Sequence, residues 1–184
     1  KSNLNGTIDI ALSGQHLTFN EIKTLELINP QILSNLISFA VVRNPYTRII
    51  SSISHFRSLI LPRLGKKAND IIEDEDELYN AIVIFFNLNS ECHNILAHKR
   101  CQHEYVLDLD GKIAVDYILN FENIENSFGK MCKEIGFSNY KLPKIGSNNY
   151  KYSTSLPKLN SAAQSLILEK YKYDFELFNF EKKY

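Results

Sequence analysis

Residues 37–56 constrain the fold of this chain more than any other part of the sequence. Residues 37–42 form a short apolar run rich in β-branched side chains, which predicts a strand buried on both faces, as in a parallel sheet covered by helices. Asn44 is a good helix N-cap, and Pro45 suits the first helical position because its missing N–H would have no intrahelical partner there. The sequence therefore predicts a strand, a turn at Arg43 and then a helix.

This helix is predicted to be amphipathic and to present an anion site at its N-terminus. Apolar residues recur at helical spacing on one face, and polar residues gather on the other. The apolar set is Ile49, Ile53, Phe56 and Ile60, and the polar set is Arg48, Ser51, Ser52 and His55. Unpaired N–H groups, the Arg43 guanidinium and the Ser51 hydroxyl together make a competent phosphate or sulfate site. The alternative is a plain strand-turn-helix unit in which Arg43 pairs with a carboxylate, and local physics does not decide between the two.

Residues 39–51, Phe-Ala-Val-Val-Arg-Asn-Pro-Tyr-Thr-Arg-Ile-Ile-Ser, resemble the 3′-phosphate-binding motif of sulfotransferases. The resemblance is particularly to the carbohydrate (Golgi-type) sulfotransferases and their bacterial relatives. It implies a three-layer α/β, P-loop-type sulfotransferase fold with a mostly parallel central sheet flanked by helices. It also implies that Arg43 and Ser51 hold the 3′-phosphate of the co-substrate 3′-phosphoadenosine 5′-phosphosulfate, while Arg48 braces the helix or turn.

The composition fits one globular domain. The chain has 184 residues, of which 44% are hydrophobic, so residues 1–184 are predicted to form a single domain with a real core. Lys plus Arg and Asp plus Glu number 21 each, and this balance gives no sign of a nucleic-acid or membrane partner. Oligomeric state is not readable from the sequence.

The N-terminal residues lack a feature that the family resemblance implies. In such sulfotransferases a strand and a loop of the type Pro-Lys-x-Gly-x-Thr-Ser cradle the 5′-phosphosulfate ahead of the Arg-Asn-Pro motif, and no such loop is present here. The domain is therefore expected to lack that N-terminal strand and loop. Lys1 and Ser2 are interpreted as the last two residues of a variant loop, with Lys1 steadying the bridging oxygen. The alternative is an ordinary solvated terminus.

A second informative stretch contains His16. Thr18 and Glu21 have capping-box spacing, so His16 is predicted to lie in a loop just before a helix. Residues 14–23 resemble the Gly-His-Leu-Thr-x-x-Glu-Ile-Lys segment of the same family, with Gln15 inserted. In several such enzymes a histidine in this interval lies beside the acceptor hydroxyl, and an imidazole titrating near neutral pH suits proton removal. His16 is the predicted base, and a structural or merely exposed histidine is the alternative.

Two clusters invite a metal interpretation, but the sequence favours no metal. Residues 73–77 are all acidic, yet consecutive carboxylates point in different directions around a helix and are favourable in its first turn. The second cluster mixes histidines with cysteines at irregular spacing that matches no paired zinc motif; it comprises Cys92, His93, His98, Cys101 and His103. Cys92 and Cys101 are expected to pair only in an oxidising compartment.

The remaining candidates lie in the second half of the chain. Residues 115–122 are predicted to be a buried strand, and its end resembles the family's Arg-Phe-Glu-Asn-Leu element with Asn120 in place of arginine. Glu122 is a candidate to orient the acceptor or act as base, or else to cap the next helix. Lys151, in a long polar loop, is a candidate donor contact beside Asn148 and Ser153. Asp174 and Phe175 match the family's terminal signature and are predicted to pack in the core.

Together these features predict a sulfotransferase that uses 3′-phosphoadenosine 5′-phosphosulfate and an acceptor hydroxyl, on a glycan by the resemblance. The alternatives are a non-catalytic nucleotide- or glycan-binding module and a P-loop phosphotransferase, although no Walker loop is visible. With no signal peptide in the sequence, a cytoplasmic (bacterial-type) location is favoured. A Golgi lumen location requires that an N-terminal anchor has been removed.

Overall fold

The computed structural model describes residues 16–89, 93–142 and 156–184. Three predicted donor-binding residues, Lys1, Ser2 and Lys151, lie outside the described residues. The chain divides into two compact units, each built from two separate stretches. Unit 1 comprises Lys1–Val42 and Ser90–Leu119, and unit 2 comprises Arg43–Asn89 and Asn120–Tyr184.

The described elements are mostly short helices. In chain order the helices are α1 Phe19–Thr24, α2 Pro30–Leu33, α3 Pro45–His55, α4 Arg57–Ile60, α5 Glu75–Asn87, α6 His93–Lys99, α7 His103–Val106, α8 Ile124–Glu134, α9 Ser161–Lys170 and α10 Lys172–Leu177. The strands are β1 Phe39–Val42 and β2 Tyr117–Asn120, and the 3-10 helices are Leu61–Leu64 and Phe121–Asn123. No helix within the described ranges has both the length and the apolar character needed to cross a bilayer.

The two strands pair in a small parallel sheet, which confirms the α/β class. Just before β1, the backbone N–H and the hydroxyl of Ser38 both donate to a carboxylate oxygen of Asp116 at 2.7 Å. The prediction of a strand buried on both faces is wrong for the described residues, because Phe39 is 50% and Val41 46% exposed. These two side chains share one face by the two-residue period of a strand. Within the described ranges β1 has only one paired neighbour, and no layer buries that face.

The core of unit 2 contains the residues that the sequence predicted to be buried. Helices α3, α5 and α9 contact one another, and the four predicted apolar residues of the segment after Arg43 are buried. Asp174 and Phe175, which were predicted to pack in the core, are buried, and so is Tyr171. One member of the predicted polar face, Ser52, is also buried, because its hydroxyl donates to the Arg48 carbonyl at 3.1 Å instead of facing solvent.

Tyr46 ties the start of α3 to the last described residues of the chain. Its ring is 1% exposed and lies 4.9 Å from the Phe175 ring, and its hydroxyl donates to the Lys182 carbonyl at 2.9 Å. Tyr46→Phe keeps the packing and loses this hydrogen bond, so we expect the free energy of unfolding to fall by about 1 kcal/mol. Urea denaturation measures the change, with Tyr79→Phe on α5 as the control. Equal effects of the two substitutions would show that the Lys182 bond contributes nothing.

Candidate active site

The start of α3 has the local geometry that its sequence predicts. The Asn44 side chain accepts a hydrogen bond from the Tyr46 backbone N–H at 2.9 Å, and Pro45 occupies the first turn. Arg43 directly precedes this cap and directly follows β1. Arg43 therefore lies at the helix N-terminus, where the backbone dipoles favour negative charge.

The Arg43 side chain is held by two neighbours in unit 2. Its Nε donates to the Thr47 hydroxyl at 3.0 Å, and the guanidinium lies 4.5 Å from the centre of the Phe121 ring. Burial lowers the pKa of Arg43, while the negative charges of Glu122 and Tyr184 act in the opposite direction. An arginine remains cationic at neutral pH despite such a change. The site thus contains a fixed, partly desolvated cation.

Glu122 places a carboxylate at the same helix N-terminus. One oxygen accepts from the Asn44 backbone N–H at 2.9 Å and from the Thr47 hydroxyl at 3.1 Å. The Asn44 side chain caps Tyr46, so the N–H groups of Asn44 and Tyr46 are both occupied, and the prediction of unpaired N–H groups is wrong for these two. Glu122 is itself positioned through its backbone N–H, which donates to Asn120 at 2.8 Å.

Ser51 continues a row of side chains that begins at Arg43. Thr47 and Ser51 are four residues apart in α3, so they lie on the same helix face about 6 Å apart along the axis. Within the described ranges the Ser51 hydroxyl has no hydrogen-bond partner. Arg48 points elsewhere and lies 5.7 Å from the centre of the buried Tyr171 ring. The structure thus brings Arg43 together with Glu122 through Thr47, and Ser51 follows on the same face.

His16 lies in unit 1, in the loop that precedes α1. Its backbone adopts a positive φ of 91°, and its ring centre is 6.0 Å from that of His98. The predicted capping box is present, since the Glu21 N–H donates to the Thr18 hydroxyl and the Thr18 N–H donates to the Glu21 carboxylate. His16 is exposed, but partial burial of its ring lowers its pKa below the ordinary value. A larger share of the imidazole is therefore neutral, and the neutral form is the one that accepts a proton.

A comparison with known protein families identifies the family of this chain. A family model described as "Sulfotransferase family" matches residues 7–181, which is nearly the whole chain. The chain belongs to the sulfotransferase family. The resemblance found at residues 39–51 is thereby confirmed, and membership places the chain among proteins that transfer sulfate. No curated protein and no solved structure matched it.

Sequence reasoning missed two residues that shape this sulfotransferase's site. Thr47 bridges Arg43 and Glu122, and Phe121 lies under the guanidinium. The signal for Thr47 was available, because it is four residues after Arg43 and four before Ser51. Phe121 stands in the stretch that resembles the family's Arg-Phe-Glu-Asn-Leu element, but the sequence did not predict its contact with Arg43, which is far away in the chain.

The acidic run of the sulfotransferase does not converge on a cation site. Lys66 forms ion pairs with Glu73 at 3.1 Å and Glu77 at 2.8 Å, and Asp74 caps α5. These contacts fit the predicted solvated helix start. Cys92 lies outside the described residues.

One group within the described ranges does bring metal-ligating atoms together. Cys101, His103 and Glu104 each offer one such atom, and these atoms lie within 4.8 Å of one another. Glu104 also accepts a hydrogen bond from the Cys101 backbone N–H at 3.1 Å. The absence of a metal from the mechanism stays a prediction.

Proposed function

We propose that this sulfotransferase moves a sulfuryl group from 3′-phosphoadenosine 5′-phosphosulfate to an acceptor hydroxyl on a carbohydrate. The observation that carries the proposal is the row Arg43, Thr47 and Ser51 at the start of α3, within a chain that belongs to the sulfotransferase family. The proposal includes a three-layer fold with a mostly parallel central sheet, of which β1 and β2 are two strands.

In this proposal Arg43 and Ser51 bind the 3′-phosphate of the donor. A guanidinium binds phosphate by paired, charge-assisted hydrogen bonds, and a hydroxyl adds a further donor. Thr47 and Phe121 hold the guanidinium in place, which lowers the conformational entropy lost on binding. Lys1, Ser2 and Lys151 are the proposed additional donor contacts.

Glu122 is proposed as a positioning residue for the donor site. Its carboxylate fixes the Asn44 backbone and the Thr47 hydroxyl, and Thr47 in turn contacts Arg43. The negative charge of Glu122 also acts to raise the pKa of Arg43 and so favours the charged guanidinium. These contacts favour positioning over the alternative role as base.

The proposed reaction is an in-line displacement at sulfur. The acceptor oxygen forms a bond to sulfur, its proton passes to the neutral imidazole of His16, and the bond between sulfur and the bridging oxygen breaks. The electron pair leaves on the 5′-phosphate, so the products are a sulfate ester and adenosine 3′,5′-bisphosphate. Positioning and charge stabilisation supply most of the rate enhancement, as in phosphoryl transfer.

Calorimetric titration with two nucleotides tests the donor site. Adenosine 3′,5′-bisphosphate carries the 3′-phosphate that Arg43 and Ser51 would bind, and adenosine 5′-monophosphate lacks it. We expect the bisphosphate to bind at least about tenfold more tightly, since one charge-assisted hydrogen bond contributes about 1.5–3 kcal/mol. Equal affinities would contradict the proposed anchor, and failure to sulfate any hydroxyl-bearing sugar would contradict the proposed activity.

A further inference from the structure

We infer that a polar cavity in unit 1 is the acceptor site and that it takes a neutral or amino-bearing sugar rather than an acidic one. This inference rests on the proposed function and adds the acceptor class to it. The inference depends on the size, the lining and the charge of one cavity. It is formed by α1 with the residue before it and by α7 with the residues on either side of it.

The cavity has the size and the lining of a sugar site. Its volume is about 320 Å³, within the range of roughly 300–1,000 Å³ that is common for ligand pockets. Of its eight lining residues only Leu107 is apolar. The other seven are polar or charged and can offer further hydrogen bonds to a ligand, so this lining favours a polyhydroxylated ligand over a lipid or an aromatic alcohol.

The walls of the cavity are fixed by hydrogen bonds. The Asn20 side chain donates to the Leu107 carbonyl at 3.0 Å and so joins α1 to the end of α7. Glu21 accepts from Thr18 at 2.7 Å and from Arg100 at 3.0 Å. These bonds pre-organise the polar groups, which reduces the entropy lost when a ligand binds.

The charge of the lining determines which sugars are accepted. Three carboxylates line the cavity, those of Glu21, Glu104 and Asp108, against one guanidinium, that of Arg100. Arg100 is already engaged, since it lies 3.0 Å from Glu21 and 3.7 Å from Glu104. The carboxylates therefore outnumber the arginine by two. A uronate or an already sulfated sugar is repelled, whereas a neutral or an amino sugar is tolerated or attracted.

The proposed base belongs to the segments that line the cavity. His16 stands two residues before Thr18, and His98 stands two residues before Arg100. The two histidine rings lie 6.0 Å apart, so these segments come together at the histidine pair as well as at the cavity. The imidazole that would take the proton of the acceptor thus belongs to a residue only two positions from the lining of the cavity.

Titration of the 184-residue chain with three matched sugars, followed by the NMR shifts of backbone amides, tests this assignment. The probes are glucosamine, methyl glucoside and glucuronate, which differ chiefly in charge. We expect shifts at Asn20, Glu21 and Glu104, and glucuronate should bind about tenfold more weakly than glucosamine. Absence of shifts at these residues with all three sugars, or tightest binding of glucuronate, overturns the inference.

Two aspartate variants distinguish the effect of charge in the cavity from the effect of charge elsewhere on the protein. Both backbone hydrogen bonds to Asp108 go to its Oδ1, at 3.0 Å and 2.8 Å, so Asp108→Asn keeps that acceptor and removes the charge. We expect this variant to reduce the difference between glucosamine and glucuronate about threefold. Asp110→Asn makes the same charge change at an exposed residue that does not line the cavity, and it should leave the difference unchanged. Equal effects of the two variants contradict a cavity-specific role.

The titration of adenosine 3′,5′-bisphosphate distinguishes this inference from the proposed function. A chain that binds the bisphosphate but gives no sugar-induced shifts in the cavity overturns only the acceptor site. A chain that binds sugars in the cavity but shows no preference for the bisphosphate overturns the donor site and leaves the cavity as a sugar site.

Discussion

We expect Arg43→Ala to weaken the binding of adenosine 3′,5′-bisphosphate by roughly 10- to 100-fold, because it would remove the proposed charge-assisted contact to the 3′-phosphate. The guanidinium is partly desolvated and is held by Thr47 at 3.0 Å and by the Phe121 ring at 4.5 Å. Such a pre-organised cation contributes more to binding than a mobile surface arginine does. Isothermal titration calorimetry gives the dissociation constants of both proteins.

Two further variants show whether the loss is specific to this guanidinium. Arg43→Lys keeps the charge but loses the planar fork and the bond from Nε, so we expect an intermediate affinity. Arg63→Ala removes one positive charge from an exposed residue of the same unit and should change binding less than about twofold. Affinity for adenosine 5′-monophosphate should hardly respond to Arg43→Ala. If bisphosphate binding survives Arg43→Ala intact, the anchor lies elsewhere.

We expect removal of the imidazole of His16, the proposed base, to lower the turnover number by roughly 100- to 10,000-fold, the usual contribution of general acid–base catalysis. Asparagine is the better replacement because His16 has a φ of 91°, and asparagine tolerates positive φ better than alanine does. His16→Asn should bind the bisphosphate as the unmodified chain does. Initial rates of sulfate transfer, measured at saturating donor, report the change. An unaltered rate would mean that another group takes the proton.

The pH profile provides an independent check on His16. A base acts in its neutral form, so the rate falls as the pH drops through the pKa of this group. Burial lowers the pKa of His16, and the acid limb of kcat/KM should therefore have its midpoint below about 6.5, the ordinary histidine value. His16→Asn should lose this limb, and His55→Asn, at an exposed histidine of unit 2, should keep it.

Glu122→Gln tests the competing assignment of the base. Glutamine retains an oxygen that can accept from the Asn44 N–H and the Thr47 hydroxyl and loses only the charge, so a positioning role predicts a small change in donor affinity and little change in turnover. A fall in turnover of about 100-fold or more with donor affinity preserved would assign the base to Glu122 instead.

The sequence by itself determined the local structures. The strand after residue 38, the cap at Asn44, the helix Pro45–His55 and the capping box of α1 all follow from contacts between residues a few positions apart. Gly136 ends α8 with a φ of 77°, as a glycine at that place predicts. Because these signals are short in range, a single sequence reveals them. The same holds for the motif in residues 39–51, whose order alone pointed to the family.

Only the tertiary structure decided what surrounds those local structures. The Glu122 carboxylate meets the Asn44 N–H across 78 positions of sequence, and Phe121 covers Arg43 over a similar separation. These contacts depend on where residues 121–122 lie beside the start of α3 within unit 2. Periodicity carries no information about such pairings, because each depends on the packing of elements that are distant in the chain. The tertiary structure therefore added Glu122 and Phe121 to a site that the sequence predicted from Arg43, Ser51 and the helix N-terminus.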